Sequence, residues 1–328
     1  MRKRILDLVD EKPLLDIAAY ARKGRLPTPA ERLHISLTVH RAPEVMVKVS
    51  GGARTLDGVE RHMAYIGREG KLGLDVDTEG HVDGKGFERD LVREWDLDVD
   101  ALQNHTKKSG STRKPPKLVH NIIFSMPPGT SPGAVLKAVQ RLAFNEWALE
   151  HRYAMALHTD DDHPHVHVVL KAMSEQGVRL NIRKATLRTW RAQFAGYLRE
   201  SGVHANATER TVRGKTKTQM SDGIFRAALR GQSTFVARQR HPSAERNRSR
   251  IADADDRLRT VHATRLAISN GWRAAARFFY ESGDPKLGKE IWTFRAQMLA
   301  SRSDGQLLTG ESPHHELKEP RAPHCRMM

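Results

Sequence analysis

The segment RYAMALHTDDDHPHVHVVLKA, residues 152–172, constrains the fold more than any other part of the sequence. It contains two short strand-like runs, RYAMALH and HVHVVLKA, joined by the polar, turn-forming residues TDDDHP. Two such runs on either side of a short polar loop predict an antiparallel hairpin. The chain is therefore expected to build a β-sheet that contains at least one tightly connected antiparallel pair.

Strand and helix signals alternate through the sequence around this hairpin. EVMVKV alternates as a strand does and leads through SGGARTLDG into a helix that begins near Thr55. KLVHNIIF predicts a further strand, and the helix after it has Ser131 as its predicted cap and Pro132 as its first residue. A short helix is predicted around residues 87–95. The helix after the hairpin stops at Gly202 and has a predicted buried stripe of Leu187, Trp190, Phe194 and Leu198.

From residue 44 the predicted order is strand, helix, short helix, strand, helix, strand, strand, helix. A hairpin beside helix-connected strands predicts an α+β fold with a mainly antiparallel sheet flanked by helices. We predict three regions: a helical extension over 1–43, broken at Pro27 and Pro29, a domain over 44–220, and a basic helical region over 221–328. The loop HTKKSGSTRKPP is expected to be poorly ordered.

The basic region begins with a cluster of arginines. Residues 225–250 contain a single acid, Glu245, against seven arginines: Arg226, Arg230, Arg238, Arg240, Arg246, Arg248 and Arg250. Three apolar helices and a polar tail from about residue 302 are predicted to follow. This segment is suited to contact with a DNA backbone or with an acidic partner protein, and a basic linker is the alternative.

The net charge indicates which class of molecule the protein binds. Lys and Arg number 55 against 39 Asp and Glu, which gives a formal charge of +16 and a pI of about 10.2. Such a surplus is typical of proteins that bind a polyanion, nucleic acid first. The single cysteine, Cys325, excludes a disulfide framework and a thiolate metal site, and favours a reducing cytoplasm. No apolar run approaches the roughly 18 residues of a membrane span, so we expect a soluble protein.

The hairpin also predicts a metal site. Side chains two apart on a strand share a face, so His165 and His167 project together while Val166, Val168 and Leu170 face the other way. Pairing across the turn brings His158 beside them. Three imidazoles on one face form a site with open positions for water or a substrate oxygen. The alternative is a half-exposed strand that is histidine-rich by chance.

Two residues of the turn are further candidates. Asp160 is placed where its carboxylate could orient one of the imidazole rings. His163 has three interpretations that the sequence leaves open: a fourth metal ligand, a DNA contact or a proton carrier.

A nucleophile candidate lies in the helix TLDGVERHMAYIGREGKLGL. Its apolar stripe consists of Leu56, Val59, Met63 and Ile66. At roughly 100° per residue, Tyr65 lies far from the centre of that stripe, so it does not serve the core. It is therefore either a surface residue or a functional one. Tyr153 and Tyr197 are placed in a strand and beside a buried stripe, and Tyr20 and Tyr280 lie outside the α+β unit.

Three segments taken together, AYIGREGKLGL, LVHNIIFSMPPGT and HTDDDHPHVHVVL, resemble in this order the three motif regions of relaxases. Relaxases are mobilisation nucleases of the His-hydrophobic-His endonuclease class. The likeness is nearest to the plasmid mobilisation and T-DNA border endonuclease branch. It runs from about Glu44 to Met220 and includes GVRLNIRKATLRTW.

The resemblance implies an activity and a site. The family nicks one DNA strand at an origin of transfer: a tyrosine oxygen attacks the scissile phosphate and leaves a 5′-phosphotyrosyl link and a free 3′-hydroxyl. The tyrosine maps to Tyr65 and the metal ligands to His158, His165 and His167. Because a phenol is a poor nucleophile at pH 7, a divalent cation is needed, and Mg²⁺ or Mn²⁺ is expected. Zn²⁺ or Ni²⁺ would bind more tightly without supporting activity.

The resemblance also implies partners and a location. These partners are single-stranded or supercoiled DNA at an origin of transfer, an accessory DNA-binding protein and a type IV secretion coupling protein. The motif G-x-x-x-x-G-K-[ST] does not occur in the sequence, so unwinding is assigned to another protein. We expect a bacterial cytoplasmic protein that is not inserted in a membrane and is translocated to a recipient cell with the bound strand.

Three other functions are alternatives to that of a relaxase. A rolling-circle replication initiator or single-strand transposase shares the metal and tyrosine chemistry, but usually has its tyrosine after the histidines, whereas Tyr65 precedes His158. A non-catalytic DNA-binding protein would have no need of the tyrosine and all the histidines together. Metal storage or sensing leaves the charge of +16 unexplained.

Overall fold

The structure is a computed structural model that describes residues 16–17, 19–20, 27–77, 80–82, 86–106, 115–214 and 244–300. The described residues form two compact units. The first contains residues 16 and 27–209, and the second contains residues 17, 19–20, 210–214 and 244–300. The predicted boundaries at residues 44 and 220 stay predictions.

The first unit is an antiparallel sheet flanked by helices, which confirms the predicted α+β class. Its elements are α1 (Pro29–Val39), β1 (Met46–Gly51), α2 (Leu56–Ile66), β2 (Leu74–Val76), β3 (Gly80–Val82), α3 (Phe87–Glu94), α4 (Leu97–Thr106), β4 (Val119–Ser125), α5 (Pro132–Glu146), β5 (Tyr153–His158), β6 (His165–Lys171) and α6 (Lys184–Glu200). Six strands pair in the order β1-β4-β6-β5-β2-β3, each antiparallel to its neighbour.

One face of the sheet packs against α5 and α6. Val166, Val168 and Leu170 point into this core from β6, as the alternation predicts. Trp147 and Trp190 pack edge-to-face at a ring-centroid distance of 5.3 Å, and both are buried. Aromatic pairs of this geometry stabilise a core beyond the area they bury. This face therefore anchors β6, the strand that presents His165 and His167 on its opposite side.

The opposite face of the sheet holds a second core. Ala154 and Ala156 of β5 are buried there beneath the apolar stripe of α2, whose Val59, Met63 and Ile66 are fully buried. The sequence predicted that this face would be a site rather than a core. The structure shows a core on this face as well, beneath α2, with the three histidines at the end of the strands next to the β5–β6 turn.

Several predicted elements are confirmed with small changes. The helix after the hairpin begins at Lys184 and ends at Glu200, and Gly202 adopts the left-handed conformation just beyond it. Ser131 is the cap residue of α5 and Pro132 its first residue, but the serine side chain makes no capping hydrogen bond. The predicted loop over residues 105–116 falls mostly outside the described residues.

Two strands and a helix were not predicted. β2 and β3 have three residues each, too few for an alternation to show in a sequence, and they lie in an acidic, glycine-containing stretch. β2 is a strand only because Asp75 and Val76 pair with β5, and β3 only because it pairs with β2. The helix α4 follows α3 after a short break at residues 95–96 and was missed for want of a clear apolar stripe.

A buried polar network ties α1 to the end of the first unit. The side-chain amide nitrogen of Asn206, Nδ2, donates to the side chains of Thr38, Glu44 and Thr208. The hydroxyl oxygens of Thr38 and Thr208 lie 2.7 Å apart. Residues 44 and 206 also form a short parallel bridge. Because buried polar groups of this kind are costly to leave unpaired, the network fixes where α1 lies on this unit.

The second unit is helical. Its described residues include two helices, α7 (Ala244–Glu281) and α8 (Pro285–Ala300), where the sequence predicted three. Residues 244–281 contain no proline, so α7 continues uninterrupted over 38 residues. Trp272 is fully buried, packs on Phe294 and donates through Nε1 to the Val212 carbonyl at 2.8 Å. The predicted polar tail and the arginines at 226–240 lie outside the described residues.

None of the helices in the described part of the chain combines the length and the apolar character that crossing a bilayer requires.

Candidate metal and nuclease site

The structure brings the three predicted histidines of the β5–β6 hairpin together. His158 pairs directly with His165 across the two strands, and His167 lies two residues further along β6 on the same face. The candidate ligand atoms of the three side chains all lie within 4.8 Å of one another. We call these three residues the histidine trio. Its spacing is small enough for one metal ion to contact all three rings.

Hydrogen bonds to backbone carbonyls determine which nitrogen of two rings carries the proton. His158 Nε2 lies 2.7 Å from the Ile66 carbonyl oxygen, and His165 Nδ1 lies 2.9 Å from that of His163. A carbonyl oxygen only accepts, so each of these nitrogens is the N–H donor. The lone pairs available to a metal are then Nδ1 of His158 and Nε2 of His165. Such carbonyl contacts are the usual way in which a metal-binding imidazole is oriented.

Two rings of the trio, His158 and His167, are held in the neutral form that binds metals. Burial lowers the pKa of His158, and burial together with the neighbouring His158 and His165 lowers the pKa of His167 to about 3. His158 and His167 are buried, whereas His165 is half-buried at the mouth of the site. Protons therefore do not compete with a metal for the rings of His158 and His167 near pH 7. The donor set fits a divalent cation.

The lowered pKa of His167 predicts how stability depends on pH. A free imidazole has a pKa of 6.5, so between pH 6.5 and about 3 the unfolded chain binds a proton that the native chain does not. Lowering the pH through this range should therefore decrease the free energy of unfolding. Denaturant unfolding of the metal-free protein at pH 7, 6 and 5, with a chelator present, measures this.

His167→Gln is the variant that isolates this contribution, because an amide does not titrate. Its free energy of unfolding should fall less steeply with pH than that of the unmodified protein. Some dependence should remain, since burial also lowers the pKa of His120, to about 4. Equal pH dependence in the two proteins would contradict the assignment to His167.

Tyr65 lies beside the trio. Tyr65 occupies the last turn of α2 and is 52% exposed. Its ring packs edge-to-face with the ring of His167, at a distance of 6.0 Å between the ring centroids. The ring of His158 is 6.5 Å away. Of the two interpretations left open for an off-stripe tyrosine, this position favours the functional one, because the phenol is both accessible to a substrate and next to the candidate metal site.

Two neighbours of Tyr65 were missed in the sequence. His62 stacks on the Tyr65 ring at 5.9 Å, and the guanidinium of Arg68 lies 5.5 Å from the centre of the same ring. Both are three residues from Tyr65, and residues at that spacing are neighbours on a helical surface. The spacing was a signal that could have found them, although Arg68 lies just beyond the end of the helix.

Asp160 reaches the trio through Arg68. The Arg68 guanidinium donates to the Asp160 carboxylate, and the same Nη2 lies 3.2 Å from His158 Nδ1. The carboxylate therefore acts on His158 by way of an arginine rather than by direct contact. The exposed His163 ring lies outside the trio, with Nδ1 3.4 Å from the Met126 carbonyl oxygen.

An open cavity adjoins this cluster. It has a volume of about 570 Å³, and its lining includes Tyr65, Arg68, Lys71, Thr159 and Asp160. Volumes of this order are typical of ligand sites. The cavity gives a substrate access to Tyr65 from the side of the β5–β6 turn.

The antiparallel sheet, the histidine trio and the neighbouring tyrosine have the arrangement expected of a nuclease domain of the His-hydrophobic-His class. A family model for the nuclease domain of MobA/VirD2-like relaxases matches residues 65–203, a range that begins at Tyr65 and contains the whole trio. The match covers less than half of the chain, and it agrees with the resemblance to relaxases seen in the sequence.

Two curated relatives are T-DNA border endonucleases named VirD2. The protein from Agrobacterium fabrum is 26% identical over 213 residues, which cover 59% of this chain and 46% of the relative. The protein from Rhizobium rhizogenes is 27% identical over 203 residues, which cover 56% of this chain and 44% of the relative. The chain therefore matches a little less than half the length of these relatives.

Proposed function

We propose that this protein is a DNA relaxase that nicks one strand at an origin of transfer, for mobilisation of a plasmid or other mobile element. Tyr65 is the nucleophile, and His158, His165 and His167 hold a divalent cation, Mg²⁺ or Mn²⁺. The observation that carries the proposal is the accessible phenol of Tyr65 next to three imidazoles whose ligand atoms lie within 4.8 Å of one another.

The reaction is a transesterification. Tyr65 Oη attacks the scissile phosphorus, a new phosphotyrosyl bond forms, and the bond to the 3′ oxygen breaks. The phenol loses one proton and the leaving 3′ oxygen gains one, so the step needs no net acid or base. A divalent cation, when bound, polarises the phosphate and offsets its negative charge. Because one phosphoester replaces another, the bond energy is retained and the strand can later be rejoined.

The chain's own residues contribute position and charge. Packing of α2 on β5 holds the Tyr65 end of the helix against the trio, which lowers the entropic cost of bringing nucleophile and phosphate together. Arg68 and Lys71 line the adjoining cavity and supply positive charge for the DNA backbone. The names of the two relatives support a border-like or origin-like DNA sequence as substrate.

The deciding experiment uses a supercoiled plasmid that contains the intergenic DNA neighbouring the gene. Incubation with Mg²⁺ or Mn²⁺ should give a nicked circle with the protein attached to the 5′ end, and omission of the cation should prevent it. Zn²⁺ and Ni²⁺ should bind without supporting the reaction. A nick that leaves protein on the 3′ end, or no nick in any neighbouring sequence, would contradict the proposal.

The arginine cluster at residues 226–250 gives a prediction about DNA affinity. Changing Arg226, Arg230, Arg238 and Arg240 to Gln in the full-length protein should weaken oligonucleotide binding and flatten its dependence on salt. On a single strand, the slope of log affinity against log salt should fall by roughly 0.7 for each phosphate that these arginines neutralise. Binding across a salt series measures this. Parallel slopes for the two proteins would show that these arginines do not touch DNA and would favour docking to a partner protein.

A further inference from the structure

Arg68 occupies the position from which a metal ion would contact His158. Because His158 Nε2 donates to the Ile66 carbonyl, Nδ1 carries the lone pair, and Arg68 Nη2 lies 3.2 Å from it. The same guanidinium binds Asp160 and lies over the ring of Tyr65. One cation thus contacts a ligand candidate, a carboxylate and the nucleophile candidate.

The backbone around Arg68 directs its side chain back toward the site. Arg68 and Glu69 both have left-handed backbone conformations, with φ of 52° and 57°, directly after the last turn of α2. Residues other than glycine adopt this conformation at a cost, and it persists where the surroundings impose it. Here Glu69 N–H donates to the Ala64 carbonyl at 2.8 Å and Leu72 N–H to that of Gly67 at 2.9 Å. These bonds reverse the chain and place Arg68 beside the trio.

We propose that Arg68 is an internal cation that holds the metal position of His158 in the metal-free protein and is displaced from it when the site is loaded. This inference rests on the metal site of the proposed function. Arg68 and a divalent ion cannot both use the Nδ1 lone pair, so the two compete. The competition is reversible, since the contact of Arg68 with His158 is a single hydrogen bond and the Arg68 side chain is 34% exposed, so water can replace it.

After displacement from His158, Arg68 is in a position to bind a phosphate next to Tyr65. Its contact with Asp160 does not involve His158, so the guanidinium stays at the rim of the cavity beside Tyr65. The donors released from His158 then point to the position where the scissile phosphate must lie for Tyr65 to attack it. A guanidinium presents several N–H donors in a planar fork that suits phosphate oxygens. Arg68 is therefore assigned two successive partners, His158 without metal and the phosphate with it.

The test is Mn²⁺ binding by calorimetry in the absence of DNA. Arg68→Gln should bind Mn²⁺ about tenfold more tightly than the unmodified protein, because a charge-assisted hydrogen bond to the ligand and a nearby positive charge are both removed. Arg61→Gln is the matched control: it removes an arginine from α2, the helix that precedes Arg68, at a position that pairs with Asp57 and not with the trio. Its Mn²⁺ affinity should be unchanged.

Arg68→Lys provides a second test in case the glutamine variant folds poorly. Lysine keeps the charge but lacks the planar fork, so it cannot hold His158 and Asp160 in the same way, and an intermediate Mn²⁺ affinity is expected. Unchanged or weaker Mn²⁺ binding in both Arg68 variants would overturn the inference. DNA cleavage is not the readout, so this outcome is distinct from a failure of the nicking experiment.

Discussion

Tyr65→Phe is expected to abolish strand cleavage, by at least about 10³-fold, while leaving the fold and DNA binding intact. The substitution removes only the phenolic oxygen, and that oxygen is the atom assigned to attack phosphorus. The ring remains against His62 and His167, so the local packing is kept. Cleavage is measured as nicked plasmid and as protein covalently attached to DNA, and binding as oligonucleotide anisotropy.

Tyr280→Phe is the control for this experiment. Tyr280 is 48% exposed, comparable to Tyr65, but belongs to the second unit and should have no effect on cleavage. A covalent adduct formed by the Tyr65→Phe protein would show that another residue is the nucleophile. Tyr153 would be the next candidate, although burial and the nearby Asp77 raise the pKa of its phenol and make it a poorer one.

Changing both His165 and His167 to Ala should remove divalent metal binding, with a loss of at least about 100-fold in Mn²⁺ affinity. Two of the three rings are lost from one strand, and the remaining His158 would bind only as a single ligand. Calorimetry measures the affinity directly, and cleavage should be lost with it. Far-UV circular dichroism and thermal unfolding verify that the sheet is intact.

Two single variants sharpen this result. His81→Ala removes an exposed histidine that pairs with Asp75 away from the trio, and its Mn²⁺ affinity should equal that of the unmodified protein. His163→Ala separates the interpretations left open for the loop histidine: reduced Mn²⁺ affinity would identify a fourth ligand, and normal affinity with weaker oligonucleotide binding would identify a DNA contact. Unchanged affinity in the double variant would contradict the site assignment.

Much of the core could be predicted because it depends on local periodicity. The alternation in HVHVVLKA correctly separated Val166, Val168 and Leu170 from the histidines. The stripe in α2 correctly left Tyr65 exposed. In both elements a repeat of two or of about 3.6 residues determines which side chains share a face, whatever the rest of the chain does.

The short elements could not be predicted because they are too short to show a local periodicity. β2 and β3 have too few residues for a period, and they exist as strands only because β2 pairs with β5 and β3 pairs with β2. The three predicted helices of the second region were replaced by one long and one shorter helix in the described residues. The sequence showed the apolar character of this region but not where its helices end, whereas the structure shows one uninterrupted helix whose Trp272 and Phe279 are buried.

The sequence by itself determined the class of fold, the grouping of the three imidazoles and the exposure of Tyr65, because strand and helix periods and the hairpin turn are local properties. Only the tertiary structure decided that Tyr65 meets His167, that Arg68 lies between Asp160 and His158, and which nitrogen of His158 carries the proton. Those contacts join residues about ninety positions apart in the chain, and they arise from the way α2 packs across β5. No local pattern specifies such a contact, since it depends on the packing of whole elements.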